Sequence, residues 1–146
     1  IRNPHSVRPW QHVLESLSGY LLLGQKLLNG DASFADSWNF GPMIQDSAAV
    51  HSVAKDIHNF WRATNFAVTA GATDNLHEAR MLRLDTSKAN SQLQWLPVWN
   101  YDKTISKTVE WYRDYYEFGI IKTEDDINAY LNSAAERELC WIAPIK

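Results

Sequence analysis

The sequence predicts an α+β fold that is mostly helical, with three or four short strands set between the helices. Apolar residues recur at the helical period in several long stretches. Shorter runs rich in aromatic and β-branched residues, closed by Gly or Gly-Pro, fall between those stretches and read as strands. The chain has 146 residues, 45% apolar and 21% charged, which suits one globular domain spanning 1–146.

Residues 1–12 read as an extended segment and loop in which Pro4 and Pro9 hold the backbone out. Val13 to Leu28 follows as a helix: Leu14, Leu17, Leu21, Gly24 and Leu28 keep helical spacing, and Val13, Tyr20 and Leu27 widen the stripe. Apolar residues nearly encircle it, so it is expected to lie buried between layers. Asn29-Gly30 stops it, with Gly suited to a left-handed cap. After a polar connector from Asp31 to Asp36, residues 37–42 read as a strand ended by Gly41-Pro42.

Gln45 to Ser47 leads into a second helix with Val50, Val53, Ile57, Phe60 and Trp61 on one face. His51 and His58 share a side of it, but two turns separate them by about 10.5 Å, too far to chelate one ion. No metal site is expected. Residues 66–70 read as a strand ending at Gly71, and 80–85 as another, with a helix from about Thr86 capped by Thr86 or Asp85. Pro97 breaks the chain between helices. Asp102, as cap, opens a helix to Phe118 whose buried stripe is Ile105, Val109, Tyr112 and Tyr116. Gly119 ends it. Thr123 and Asp126 resemble a capping box at the head of a last helix carrying Ile127, Tyr130, Leu131, Ala134 and Ala135. Residues 140–144 form an apolar tail.

Composition excludes several functions. A net charge of −3 gives no basic footprint for nucleic acid. No apolar run approaches the ~20 residues of a membrane span, and no signal peptide is present. The single Cys140 excludes an internal disulfide and fits a reducing compartment, so the expected location is cytoplasmic. Seven Trp and six Tyr favour carbohydrate or nucleotide contact only weakly, because aromatics also fill cores.

The densest chemistry is at the start. Arg2, His5, Arg8, Trp10, Gln11 and His12, with Pro4 and Pro9 among them, stand ahead of a long apolar helix. A guanidinium matches phosphate or carboxylate with its planar fork. A plain surface loop leading into a helix has the same composition. The run Ile1-Arg2-Asn3-Pro4-His5, then Arg8-Pro9-Trp10-Gln11-His12-Val13-Leu14-Glu15, with Leu17 and Gly19-Tyr20-Leu21 beyond, resembles the opening of the substrate domain of CDP-glucose 4,6-dehydratases. These belong to the extended short-chain dehydrogenase/reductases.

The resemblance implies that Arg8 contacts the diphosphate of a nucleotide sugar; Pro9 stands where the wider superfamily has an acid. Asn39 and Gly41 match a tyrosine/phenylalanine-asparagine-x-glycine strand whose asparagine lies near the nucleotide. His77-Glu78-Ala79, Leu82, Leu84-Asp85 and Ser87-Lys88-Ala89 match the dehydratase pattern, placing His77 and Glu78 on the nucleotide side. A surface turn is the alternative for that pair. The arginine of the related pattern is missing, its slot falling near Asp74. Gln11 and His12 complete the substrate-binding candidates. Leu93-Gln94-Trp95-Leu96-Pro97 resembles a leucine-glycine-tryptophan-x-proline turn with Gln94 in the glycine's place, and Thr108 to Tyr112 matches the family's closing helix.

The resemblance implies a C-terminal substrate domain with few short strands, part of a longer chain, since the sequence begins on Ile1 within a motif. The implied parent is an NAD-dependent lyase of bacterial surface-polysaccharide biosynthesis. It passes a hydride from sugar C4 to NAD, removes water across C5–C6 and returns the hydride to C6, giving CDP-4-keto-6-deoxyglucose. The cofactor turn and the catalytic Tyr-x-x-x-Lys are absent here. The six glycines never form a dinucleotide fingerprint, and no tyrosine has a lysine four residues later. Catalytic, cofactor-binding and metal-binding residues are therefore expected in none of these positions. NAD and the chemistry are assigned to a missing N-terminal Rossmann domain, the parent to a homo-oligomer, and the fragment alone to inactivity. Two alternatives stand: the substrate domain of another nucleotide-sugar epimerase or reductase, and a non-catalytic interaction module.

Overall fold

The computed structural model describes residues 1–69 and 79–142. About half of these are helical, and one two-stranded sheet accompanies the helices. The elements run β1 (Val7–Pro9), α1 (Val13–Leu28), β2 (Ser47–Ala49), α2 (Val50–Phe60), α3 (Ser87–Gln92), α4 (Tyr101–Phe118) and α5 (Thr123–Glu136). Short 3-10 turns sit at Ala32–Phe34 and Ile44–Asp46.

β1 pairs antiparallel with β2, Arg8 opposite Ala48. On its other side Val7 forms a single parallel bridge to Met81, its N–H donating to the Arg80 carbonyl at 2.8 Å and its carbonyl accepting from Leu82 at 3.1 Å. The strand content is thinner than the sequence predicts. Residues 37–42 are not paired as a strand; they give their polar groups to Gln11 and Asp85 instead. The predicted 66–70 strand reduces, over its described residues, to two bonds with Ile1, Ala67 O to the terminal amine and Thr69 N–H to Ile1 O. The 80–85 strand reduces to the bridge at Met81. A run with strand composition becomes a strand only where a neighbour offers it a ladder.

The period sets α1 at Val13–Leu28, and Gly30 leaves it with φ +85°. Its orientation is the reverse of a simple amphipathic helix. The buried positions are Glu15, Ser18, Gly19 and Leu22, while Leu21 and Leu28 are 76% and 90% exposed. The helix is thus not enclosed between layers: a polar and small face packs inward and an apolar row faces out. Gly19 makes that packing possible, because a Cβ there would fall 2.3 Å from the Phe40 ring.

Three small hydrophobic clusters form the core. Phe40, Leu93 and Trp95 meet Leu22 in one, Val98, Trp99 and Tyr130 form the second, and Val53, Ile105 and Val109 the third. Trp141 packs against the first two. α2 and α4 build the third cluster with the first half of the predicted α4 stripe; Tyr112 and Tyr116, in its second half, are exposed.

Caps also differ from the prediction. Asn100, one position before the helix, caps α4 by accepting from Lys103 N–H at 3.0 Å, and Asp102 lies in the first turn. Thr123 is already helical, and its hydroxyl accepts from Trp111 Nε1 at 3.0 Å. At α3, Asp85 accepts from Ser87 N–H at 2.9 Å. An ion network ties α4 to α5: Lys122 bridges Asp114 and Glu110, at 2.7 and 2.9 Å, and Lys107 meets Asp126 at 3.0 Å. Lys122 holds both of its carboxylate partners below the ordinary range.

Candidate functional site: three segments around Arg8

Three segments far apart in sequence are linked around β1 and the start of α1. The bridge between Val7 and Met81 brings residues 79–82 beside it, and Arg8 Nη1 donates to the Ala79 carbonyl at 3.0 Å and to Val7 O at 2.9 Å. Gln11 Nε2 donates to the Phe40 carbonyl at 3.0 Å, which fixes residues 39–41 beside the start of α1. Asn39 Nδ2 in turn donates to Asp85 O at 3.2 Å, closing the ring onto the segment after Met81. Gly41 lets the chain pass close to Leu84 at this closure. A Cβ there would meet Leu84 side-chain atoms at 3.0 and 3.1 Å.

The candidates occupy different environments on this ring. Arg8 is half-buried, whereas Asn39 is exposed. His77, Glu78 and the Asp74 slot lie outside the described residues. Gln11 is half-buried; its amide also donates to Ser16 Oγ at 2.7 Å, and its Oε1 is buried with no hydrogen-bond partner. An unmet buried acceptor is costly, so its amide is the polar group on the ring with capacity left for a donor. His12 is buried as the N-cap of α1, Nδ1 accepting from Leu14 N–H at 3.3 Å and its ring set edge-on to Trp99. Burial pulls its basicity below the ordinary histidine value, and a neutral ring can accept as the cap requires. Arg80 and Arg83 are exposed on the segment that bridges to β1.

Beneath the ring sits a polar cluster that the sequence reading did not single out. Glu15, 1% exposed, accepts from Val98 N–H at 2.8 Å, Trp99 N–H at 2.7 Å and Tyr130 Oη at 2.8 Å. Ser18 Oγ accepts from Trp95 Nε1 at 3.0 Å and donates to Glu15 O at 2.8 Å. Burial raises the Glu15 carboxyl above its ordinary range, the hydrogen bonds offsetting only part of the shift. The Tyr130 phenol is also raised, by burial first and by the Glu15 charge beside it. The cluster anchors the 95–99 turn to α1 and so fixes the helix that follows Arg8. The only sequence signal for it is an acid in the first turn of an otherwise apolar helix.

The two histidines of α2 are occupied singly. His51 stands edge-on to Phe66, and His58 Nδ1 lies 2.6 Å from Thr64 O. Among the described residues no helix is long and apolar enough to cross a membrane.

No protein-family model matches the chain. The chain is 38% identical over 135 residues to "CDP-glucose 4,6-dehydratase" from Salmonella typhimurium, a match over 91% of this chain and 37% of the relative. The chain therefore spans little more than a third of that relative's length. By sequence, this chain is related to the C-terminal part of a CDP-glucose 4,6-dehydratase.

Proposed function

We propose that the chain is the nucleotide-sugar-binding domain, 1–146, of a longer CDP-glucose 4,6-dehydratase, a lyase acting on CDP-glucose. One observation carries the reading: the segments marked by the resemblance, around Arg8, Asn39 and 79–89, are drawn into one ring although they lie far apart in sequence. The roles follow from chemistry. Arg8 reads the diphosphate with its guanidinium fork. Asn39 and Gln11 offer amide groups to the nucleotide, and His77 and Glu78, which lie outside the described residues, are assigned to it as the resemblance implies. His12 acts behind them by fixing the start of α1.

NAD, when bound, accepts and returns the hydride of such a reaction. The sequence does not fit it: the six glycines spell no dinucleotide-binding fingerprint, so the cofactor is assigned to an N-terminal Rossmann domain of the same polypeptide. On this reading the parent is a cytoplasmic enzyme of polysaccharide deoxysugar synthesis, and the fragment by itself is inactive.

Thermal unfolding with CDP, UDP and dTDP tests it. A ligand at 100 times its dissociation constant stabilises by about 2.7 kcal/mol. CDP is expected to raise the midpoint more than UDP or dTDP, and Arg8→Ala to abolish the rise. Equal shifts with all three nucleotides would remove the CDP assignment. A full-length, NAD-bound protein that leaves CDP-glucose unchanged would sink the dehydratase reading.

A further inference from the structure

Resting on the nucleotide-sugar reading of the ring around Arg8, we infer that Arg80 binds the same diphosphate as Arg8, one guanidinium to each phosphate. Residues 7 and 8 hold Arg80 on both sides. The carbonyl before it, Ala79 O, accepts from Arg8 Nη1 at 3.0 Å, and its own carbonyl accepts from Val7 N–H at 2.8 Å. Leu82 N–H completes the bridge by donating to Val7 O at 3.1 Å. The peptide that Arg8 touches is the one that leads into Arg80. The guanidinium of Arg8 therefore lies one peptide unit from the Cα of Arg80, although the two residues are far apart in sequence.

Arg80 is exposed and, among the described residues, forms no ion pair. Two guanidinium groups carried this close together repel each other, and an anion between them turns the repulsion into attraction. A planar fork engages two oxygens of one phosphate. A diphosphate carries its second phosphate one bridging oxygen away, beside the position where the fold supplies a second cation. The backbone of Arg80 is fixed before any ligand arrives, so only its side chain is ordered on binding.

Arg83 lacks this placement. It carries the same charge, is also exposed and, among the described residues, is in no ion pair. No hydrogen bond among those residues ties its backbone to β1.

Calorimetric titration of the 146-residue chain with CDP, CMP and cytidine is the test. Arg80→Ala is expected to weaken CDP binding roughly tenfold. The loss is smaller with CMP, which lacks the second phosphate, and absent with cytidine. Arg80→Lys recovers part of it, and Arg83→Ala leaves CDP affinity within about twofold of wild type. Residue 80 is held through its backbone, so Arg80→Ala keeps those bonds and the wild-type thermal midpoint without nucleotide. CDP bound equally by wild type and Arg80→Ala, but lost in Arg8→Ala, overturns the inference and leaves the nucleotide-sugar reading standing. Equal losses from Arg80→Ala and Arg83→Ala overturn it too, because net charge alone would then set the affinity. An equal loss with CMP and CDP removes Arg80 from the second phosphate. A wild-type chain that binds neither CDP nor CMP overturns the nucleotide-sugar reading and the role of Arg80 with it.

Discussion

The carboxylate of Glu15, in the first turn of α1, accepts the backbone N–H of Trp99 at 2.7 Å across 84 residues of sequence. The second oxygen takes the N–H of Val98, so the acid closes two backbone donors that no water reaches. Leaving a buried donor unmet costs about 1–3 kcal/mol. Glu15→Ala should therefore lower the unfolding free energy by about 2–4 kcal/mol. Glu15→Gln should also destabilise, because its amide nitrogen must face one of those N–H groups.

The same residue gives stability a pH dependence. Its folded carboxyl is raised by burial, so the folded state holds the proton more tightly than the unfolded chain. Its contribution is fully present below the ordinary carboxylate range and declines as pH rises through the raised value. Glu15→Gln removes that downward slope. Urea unfolding across the acid-to-neutral range, in both proteins, measures it.

Gly19→Ala tests the contact between α1 and Phe40. In an open helix the exchange would gain about 1 kcal/mol in propensity. Here the new methyl would stand 2.3 Å from a buried aromatic ring, and overpacking typically costs about 1–3 kcal/mol. A net loss is expected, and Phe40→Leu in the same chain should recover part of it. A thermal midpoint raised by Gly19→Ala alone would show that Phe40 does not hold this position.

Gln94→Gly should act in the opposite direction. Gln94 has φ +53°, left-handed backbone that costs a side-chain-bearing residue about 1–2 kcal/mol. Part of that gain is offset by the added freedom of glycine in the unfolded chain. A stabilisation of about 0.5–1 kcal/mol is expected by chemical denaturation.

Much of the helical framework was legible in the sequence. The limits of α1 follow from its period and from Asn29-Gly30, and Gly119 ends α4 in left-handed backbone as a cap glycine should. Gln94 was legible too: the family pattern has glycine there, and the backbone keeps the glycine conformation. Which side of α1 faces inward was not legible, because Glu15 finds its donors only once residues 98 and 99 fold back onto it. Tyr112 and Tyr116 failed for a related reason, since periodicity sets a stripe but not how far the covering helix extends. In the candidate site, the approach of residues 79–82 to Arg8 came from no spacing in the chain; a backbone bridge and one guanidinium bond create it.

β1 sits between backbone supplied by later parts of the chain, β2 on one side and the bridge at Met81 on the other. Synthesis proceeds from the N-terminus, so Arg8 leaves the ribosome long before either neighbour exists. The ring around it cannot assemble until residue 82 has emerged, and the inward face of α1 stays open longer still, because Leu22 packs on Leu93 and Trp95 and Glu15 takes its donors from Val98 and Trp99. A translation pause placed before Trp99 would prolong that exposure, whereas a pause after Tyr130 would not.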